Sequence, residues 1–397
     1  MTHTLISFLG KAAQSYRKAV YDFGGGQRQE TAFFGLGLTR QIKPDRLVLL
    51  GTTGSMWDVL LISLNLDRHL EDALLDLSES AQENRTTAAE LDALAPAVGE
   101  RLGLPVALRL IPYGRDAGEQ AEILRRMASD IAEGDAVTLD VTHGLRHLPM
   151  LAQMSALYLR RVKGVEVRGL YYGALDMTRD GLTPVMNLQG LLDIADWTGA
   201  VQSFDKDGDY GVFAPLVLEQ SPAAAGLLQE SAFYERTTRP GQACGKLHEL
   251  DTLLHRQPLA GIGALFAPTL RARLSWHRED RLYLRQQALA RLYLEHGDFL
   301  RAALLGFEAF ITRLMQQQGM TNPDNWTQRE TVKKEYEARN KAIRPRPDEY
   351  ERYCLLRDLR NHLAHGNMSP QAEIQKALAS AERLRDFLDD LIERLLP

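Results

Sequence analysis

Short apolar runs that end at a glycine or a polar turn, each followed by residues at helical spacing, organise the first half of the chain. Thr4-Leu5-Ile6-Ser7-Phe8-Leu9-Gly10 is one such run. Asp45-Arg46-Leu47-Val48-Leu49-Leu50-Gly51 repeats it, ahead of Thr52-Thr53-Gly54-Ser55 and a helix that starts near Met56-Trp57-Asp58. Further strands are expected at 106–111, 136–141, 165–172 and 183–188, the last two as a terminal hairpin, with helices over about 119–131 and 150–161. Strands apolar on both faces, alternating with helices, predict an open, mainly parallel α/β sheet.

After Asn187 the strand signal fades. Helices are expected over 191–201 and 210–228, around a polar turn at 205–209. From 245 onward the pattern is almost wholly helical, with a break at 295–298. Leu300, Leu304, Phe307, Phe310, Ile311 and Leu314 keep one face of a bundle helix apolar. Residues 319–347, with Pro323, Pro345 and Pro347, read as a loop-rich insertion before a final helix at 371–396. The fold class is therefore an open α/β sheet in the N-terminal part joined to an all-α C-terminal part.

A chain of 397 residues is long enough for two domains with their own cores. Its 45% apolar and 25% charged content is that of a globular protein, and no apolar run approaches the roughly 18 residues of a membrane span. Met1–Gly10 lacks a basic n-region and reads as a strand, not a signal peptide. Cys244 and Cys354 form neither a disulfide framework nor a metal-ligand spacing, so a cytoplasmic protein without membrane attachment is expected. The net charge of −5 argues against indiscriminate coating of nucleic acid. Residues 281–397 nevertheless hold 19 Lys+Arg against 17 Asp+Glu, leaving −7 elsewhere, a mild bias toward RNA handling in the C-terminal part.

Open α/β sheets bind ligands beyond the carboxyl ends of their strands. Three stretches fall there. Thr52-Thr53-Gly54-Ser55 offers hydroxyls and a helix N-terminus suited to phosphate. Asp140-Val141-Thr142-His143-Gly144-Leu145-Arg146-His147 adds an arginine and two histidines, and Gly10-Lys11 with Ala13-Gln14-Ser15-Tyr16 supplies a third wall. Singly, each also reads as an ordinary cap or turn: Asp140 caps its turn or meets a ligand, and His143 and His147 are loop residues or ligand contacts. Together, on one sheet edge, they favour a nucleotide or phosphodiester pocket. The chain has no Gly-x-x-x-x-Gly-Lys-Ser/Thr loop, no Gly-x-Gly-x-x-Gly fingerprint and no nucleophile elbow.

The second candidate is Arg360-Asn361-His362-Leu363-Ala364-His365-Gly366, at the predicted C-terminus of a helix that Gly366 ends. Asn361 and His365 share a face, while Arg360 lies about 140° round from His365, so the arginine must reach round or meet a site built from two chains. A histidine can move a proton and an arginine can hold phosphorane charge in phosphodiester cleavage. The structural alternative is that Arg360 pairs with a carboxylate and the histidines cap the last turn. His362 and His365 lack the partners a zinc site needs.

On Leu5–Gly10, Leu49–Ser55 and above all Asp140–Pro149, the N-terminal half resembles the CARF domain of type III CRISPR ancillary proteins, a Rossmann-like sensor of cyclic oligoadenylates. Leu145 stands where an aromatic residue is common. The C-terminal half is similar to HEPN ribonucleases, whose Arg-x4–6-His signature Arg360, Asn361 and His365 match. The resemblance divides the chain into a sensor at 1–200, a helical connector at 201–279 and a HEPN-like domain at 280–397.

It implies a homodimer or higher even oligomer, with a ring of four or six adenylates bound by Gly10, Lys11, Thr52, Thr53, Gly54, Ser55, Thr142, His143, Gly144, Leu145 and Arg146. It further implies cleavage of single-stranded RNA without metal or other cofactor, to 2′,3′-cyclic phosphate and 5′-OH ends. His365 would be the acid/base, Arg360 the phosphate stabiliser, Asn361 an orienting group and Glu308 a holder of Arg360. Two alternatives stand beside this: a CARF domain that degrades its own activator, and a non-catalytic, activator-responsive regulator.

Overall fold

A computed structural model describes residues 1–11, 17–367 and 369–397, and divides into two compact units, Met1–Ala195 and Asp196–Pro397. In the first, strands β1 (His3–Leu9), β2 (Ala19–Asp22), β3 (Arg28–Thr31), β4 (Arg46–Gly51), β5 (Val106–Leu110), β6 (Ala136–Asp140), β7 (Glu166–Gly173) and β8 (Leu182–Asn187) form one sheet. Their order is β3-β2-β8-β7-β6-β1-β4-β5. The run β7-β6-β1-β4-β5 is parallel, and β8 returns antiparallel to β7 as the expected hairpin.

Period-two alternation explains why β1 is central. Ile6 and Phe8 pack on one face with Ile123, Met127, Leu148 and Leu159, from helices α5 (Ala117–Ser129) and α6 (Leu148–Lys163). Leu5 and Leu9 pack on the other with Phe34, Trp57, Leu77 and Leu91, from α1 (Phe34–Ile42), α2 (Trp57–Ser63), α3 (Glu71–Gln82) and α4 (Ala88–Leu102). In the sheet, β4 and β5 lie on one side of β1, and β6 and β7 lie on the other. Open α/β sheets bind ligands at such a reversal, here beside the carboxyl ends of β1, β4 and β6, the strands that carry the candidate loops.

The β2–β3 hairpin, parallel to β8 through β2, and the helices α3 and α4 were not expected. Arg28-Gln29-Glu30-Thr31 is a short, charged edge strand with no apolar run to betray it. For α4 a signal existed: Thr87 and Glu90 form a reciprocal capping box.

The second unit is helical: α7 (Gln189–Asp207, which begins before the division), α8 (Ala214–Val217), α9 (Pro222–Arg236), α10 (Pro240–Arg256), α11 (Gly261–Arg273), α12 (Leu282–Glu295), α13 (Phe299–Gln317), α14 (Trp326–Lys341), α15 (Asp348–His365), α16 (Ala372–Ala377) and α17 (Ala381–Leu395). One core runs from Trp197 to Leu396, so residues 201–279 pack in the same unit as the rest. No helix among the described residues is long and apolar enough to cross a membrane.

Three expectations change here. The helix α7 runs through the polar stretch to Asp207, and 210–228 breaks into a 3-10 turn and two helices. The final helix is split at 378–380, where Ser380 caps α17. Most of 319–347 is the helix α14, which Asn325 caps and whose prolines all lie outside it. Tyr353 docks α15 against this region: its ring lies 5.7, 5.4 and 5.2 Å from Phe307, Phe310 and Tyr336, and its hydroxyl donates to Glu337 at 2.7 Å.

Candidate functional site

At the sheet edge the loop after β4 is knitted to β1. Ser55 Oγ donates to the Leu9 carbonyl at 2.7 Å and accepts from the Thr52 N–H at 2.9 Å, and Met56 N–H donates to the Gly10 carbonyl at 3.0 Å. Trp57 Nε1 donates to the Thr52 carbonyl at 2.9 Å. Gly54 lies close under the Asn84 amide: a Cβ there would sit 2.0 Å from Asn84 Oδ1 and would push that side chain aside. Lys11 Nζ donates to that same Oδ1 at 2.9 Å, and Thr53 Oγ1 lies 3.4 Å from the Tyr113 hydroxyl, whose hydrogen bond with Thr53 lowers the phenol's pKa.

After β6, Asp140 is fully buried, accepting from Ser7 Oγ at 2.5 Å and from the Thr142 N–H at 2.8 Å; burial pushes its carboxyl up to about 6. Thr142 Oγ1 accepts from the Gly173 N–H at 2.8 Å, tying the loop to β7. The His143 ring is buried and accepts the Phe34 N–H at 3.1 Å; burial pushes it down to about 4, so it is neutral at pH 7. His147 Nε2 lies 2.8 Å from the Tyr113 carbonyl.

The predicted residues thus separate by role. Gly10, Thr52, Gly54 and Ser55, with Asp140, Thr142 and His143, shape the loops. Lys11, Gly144, Leu145 and Arg146 are exposed at the rim and Thr53 is half-buried beside Tyr113. The stretch Ala13-Gln14-Ser15-Tyr16 lies outside the described residues. Asn84, Tyr113 and Arg115, whose guanidinium lies 4.9 Å from the Tyr113 ring centroid, were not anticipated. The strand end after β5, next to β4, was the signal that pointed to Tyr113 and Arg115.

In the second unit α15 ends as expected: Gly366 takes φ 63° and its N–H donates to the His362 carbonyl at 2.8 Å. Arg360 donates from Nε and Nη2 to Asn361 Oδ1 at 3.2 and 2.8 Å. Its guanidinium lies 4.3 Å from the Phe307 ring centroid, and Nη1 is 3.9 Å from Glu308 Oε1. Arg360, Asn361 and His365 line one cavity of about 640 Å³. The arginine is turned toward Asn361, which shares a helix face with His365. Arg239 at the start of α10 and Arg329 on α14 line the same cavity; neither was anticipated, because one lies in the expected connector and the other in the expected loop.

Residues 4–176 match the family "CRISPR system endoribonuclease Csx1, CARF domain". The match spans most of the N-terminal unit. The chain is also 23% identical, over 422 aligned positions, to the CRISPR-associated protein MJ1674 of Methanocaldococcus jannaschii. That alignment covers 96% of this chain and 65% of the relative's length. A solved structure of Enterococcus italicus Csm6, bound to cyclic hexa-2′-fluoro-hexa-dAMP, aligns over 100% of this chain and 94% of that one, at 12% identity and a TM-score of 0.40. The chain is thus similar to CRISPR-associated proteins, and its N-terminal unit to a CARF domain.

Proposed function

We propose that the chain is an endoribonuclease switched on by a cyclic oligoadenylate held at the carboxyl edge of the N-terminal sheet. The observation that carries the catalytic half is the single cavity lined by Arg360, Asn361 and His365. In the reaction the RNA 2′-oxygen attacks its own phosphorus as its proton passes to a histidine. The P–O5′ bond breaks, and the 5′-oxygen leaves with a proton, giving a 2′,3′-cyclic phosphate and a 5′-OH. His365 carries protons, Arg360 holds the charge of the phosphorane in its fork, and Asn361 fixes the direction of that fork. The chemistry needs no metal ion.

The sensing half rests on the CARF match and on the loops at the carboxyl edge of the sheet, where the Thr53 and Tyr113 hydroxyls lie 3.4 Å apart and the exposed Lys11 and Arg146 offer cations to a polyanionic ring. A homodimer suits a ring of four or six adenylates, which has its own two-fold symmetry. Met150, Met154, Tyr158 and Val162 give α6 an exposed apolar stripe at spacing i, i+4, beginning just past the Arg146 loop, and we assign the second copy to it.

The test mixes the protein with cyclic tetra- or hexa-adenylate and a fluorescent RNA reporter. Activator-dependent cleavage by the wild type, lost in His365→Ala with activator binding intact, is expected. Retained cleavage in His365→Ala would sink the assignment.

A further inference from the structure

We propose that Arg329 is a positioning residue for the ribonuclease site: it neutralises Glu308 and so keeps the Arg360 guanidinium free for phosphate. The inference rests on the function proposed above and deepens it, and it gives the proline-rich segment a task. Glu308 faces two arginines and holds them unequally. Arg329 Nη2 donates to Glu308 Oε2 in close contact and to the Glu308 carbonyl at 3.3 Å, while its Nη1 donates to the Pro323 carbonyl at 2.9 Å and to Thr312 Oγ1 at 3.1 Å. Arg360 stands off at 3.9 Å from the other carboxylate oxygen, its Nε and Nη2 turned to Asn361.

One carboxylate between two guanidinium groups leaves one positive charge unmatched. The geometry puts that charge on Arg360, which lines the same cavity as His365. Asp324, the cavity's other carboxylate, is exposed, where water and salt screen it. Without Arg329, Glu308 keeps a single cation within reach, and Arg360 closes on it in the forked geometry the two groups favour. A substrate phosphate must then displace a charge-assisted hydrogen bond before it can use Arg360.

The test is a series of full-length variants assayed for activator-stimulated cleavage. Arg329→Met is expected to lower kcat by about ten- to a hundredfold, the factor for one such hydrogen bond. Adding Glu308→Gln to Arg329→Met is expected to recover about tenfold, because a neutral amide cannot capture Arg360. Arg329→Lys keeps the charge but loses the fork, and is expected to stay within about threefold of the wild type. An arginine that merely pins 319–347 to the bundle predicts the reverse. Lys then fails as badly as Met, and Glu308→Gln, which removes a further acceptor, deepens the defect. Either result overturns the proposal, and the Lys variant decides the matter if the Met variant does not fold.

The same series is read by fluorescence anisotropy with an RNA blocked by 2′-deoxy substitution, where Arg329→Met is expected to weaken binding and Glu308→Gln to restore it. A wild type that binds this RNA but never cleaves its 2′-hydroxyl counterpart defeats the ribonuclease reading alone, with the clamp still tested by binding. A wild type that cleaves, with both series flat across the variants, defeats the clamp alone.

Discussion

Replacing Asp140 by asparagine should make the protein more stable at neutral and alkaline pH, although the carboxylate accepts two hydrogen bonds. The buried carboxyl titrates near 6 in the folded state against 3.8 as the ordinary value, so the folded chain binds its proton more tightly than the unfolded one. The sign follows: this group's contribution is full below pH 3.8, falls as the pH rises through the window up to about 6, and stays constant above it. With 1.36 kcal/mol per unit, ionising Asp140 costs the fold about 3 kcal/mol above that window, or about 2–3 kcal/mol between pH 4 and pH 8. Asparagine keeps an oxygen for the Thr142 N–H and turns an amide toward Ser7 Oγ, which can accept.

Urea unfolding of wild type and Asp140→Asn at pH 4, 5, 6, 7 and 8 checks this, since the difference between the two cancels every other titrating group. The variant's relative stability should climb by about 2–3 kcal/mol across the series and flatten above pH 6–7. A difference that stays level with pH would refute the argument that desolvation outweighs the hydrogen bonds of Ser7 and Thr142.

Further outcomes follow from the geometry. Gly54→Ala forces a methyl group onto Asn84 Oδ1, which also holds Lys11, so activator affinity by calorimetry should drop by about tenfold or more while the helical unit's melting is unmoved. Met154→Lys places a charge in the middle of the exposed α6 stripe and should shift sedimentation toward monomer at micromolar concentration; an unchanged dimer would move the interface elsewhere. Glu235, buried and raised to about 7 by desolvation, accepts from Tyr293 at 2.6 Å. Its contribution is likewise lost with rising pH, from about 4.5 up to about 7, so Glu235→Gln should flatten the helical unit's stability over that range in thermal melts.

Much of this molecule was readable from residue pattern because its strands are buried on both faces. Leu5-Ile6, Leu49-Leu50 and Val137-Leu139 admit no other reading, and glycine or polar punctuation marks where the loops begin. What escaped was short, polar or set by distant partners. The β2–β3 hairpin has charged edge residues, and prolines outside α14 disguised a helix as a loop. The sequence singled out Arg360, Asn361 and His365, which line one cavity, and the loops that follow β1, β4 and β6 at the sheet edge. The inward turn of His143 was not legible, because a histidine beside a glycine looks the same whether it meets a ligand or the Phe34 N–H. Nor was the company of Arg239 and Arg329, which depends on the path of chain segments far from residue 360.

The central claim is that the cavity beside Gly366 cuts RNA by histidine and arginine chemistry under control of the N-terminal sheet. End-group analysis of RNA incubated with the protein in excess EDTA, with and without cyclic oligoadenylate, tests it most directly. The account predicts 2′,3′-cyclic phosphate and 5′-OH ends that accumulate only with the activator and vanish in His365→Ala. Fragments with 3′-OH ends, or cleavage that EDTA abolishes, would contradict it.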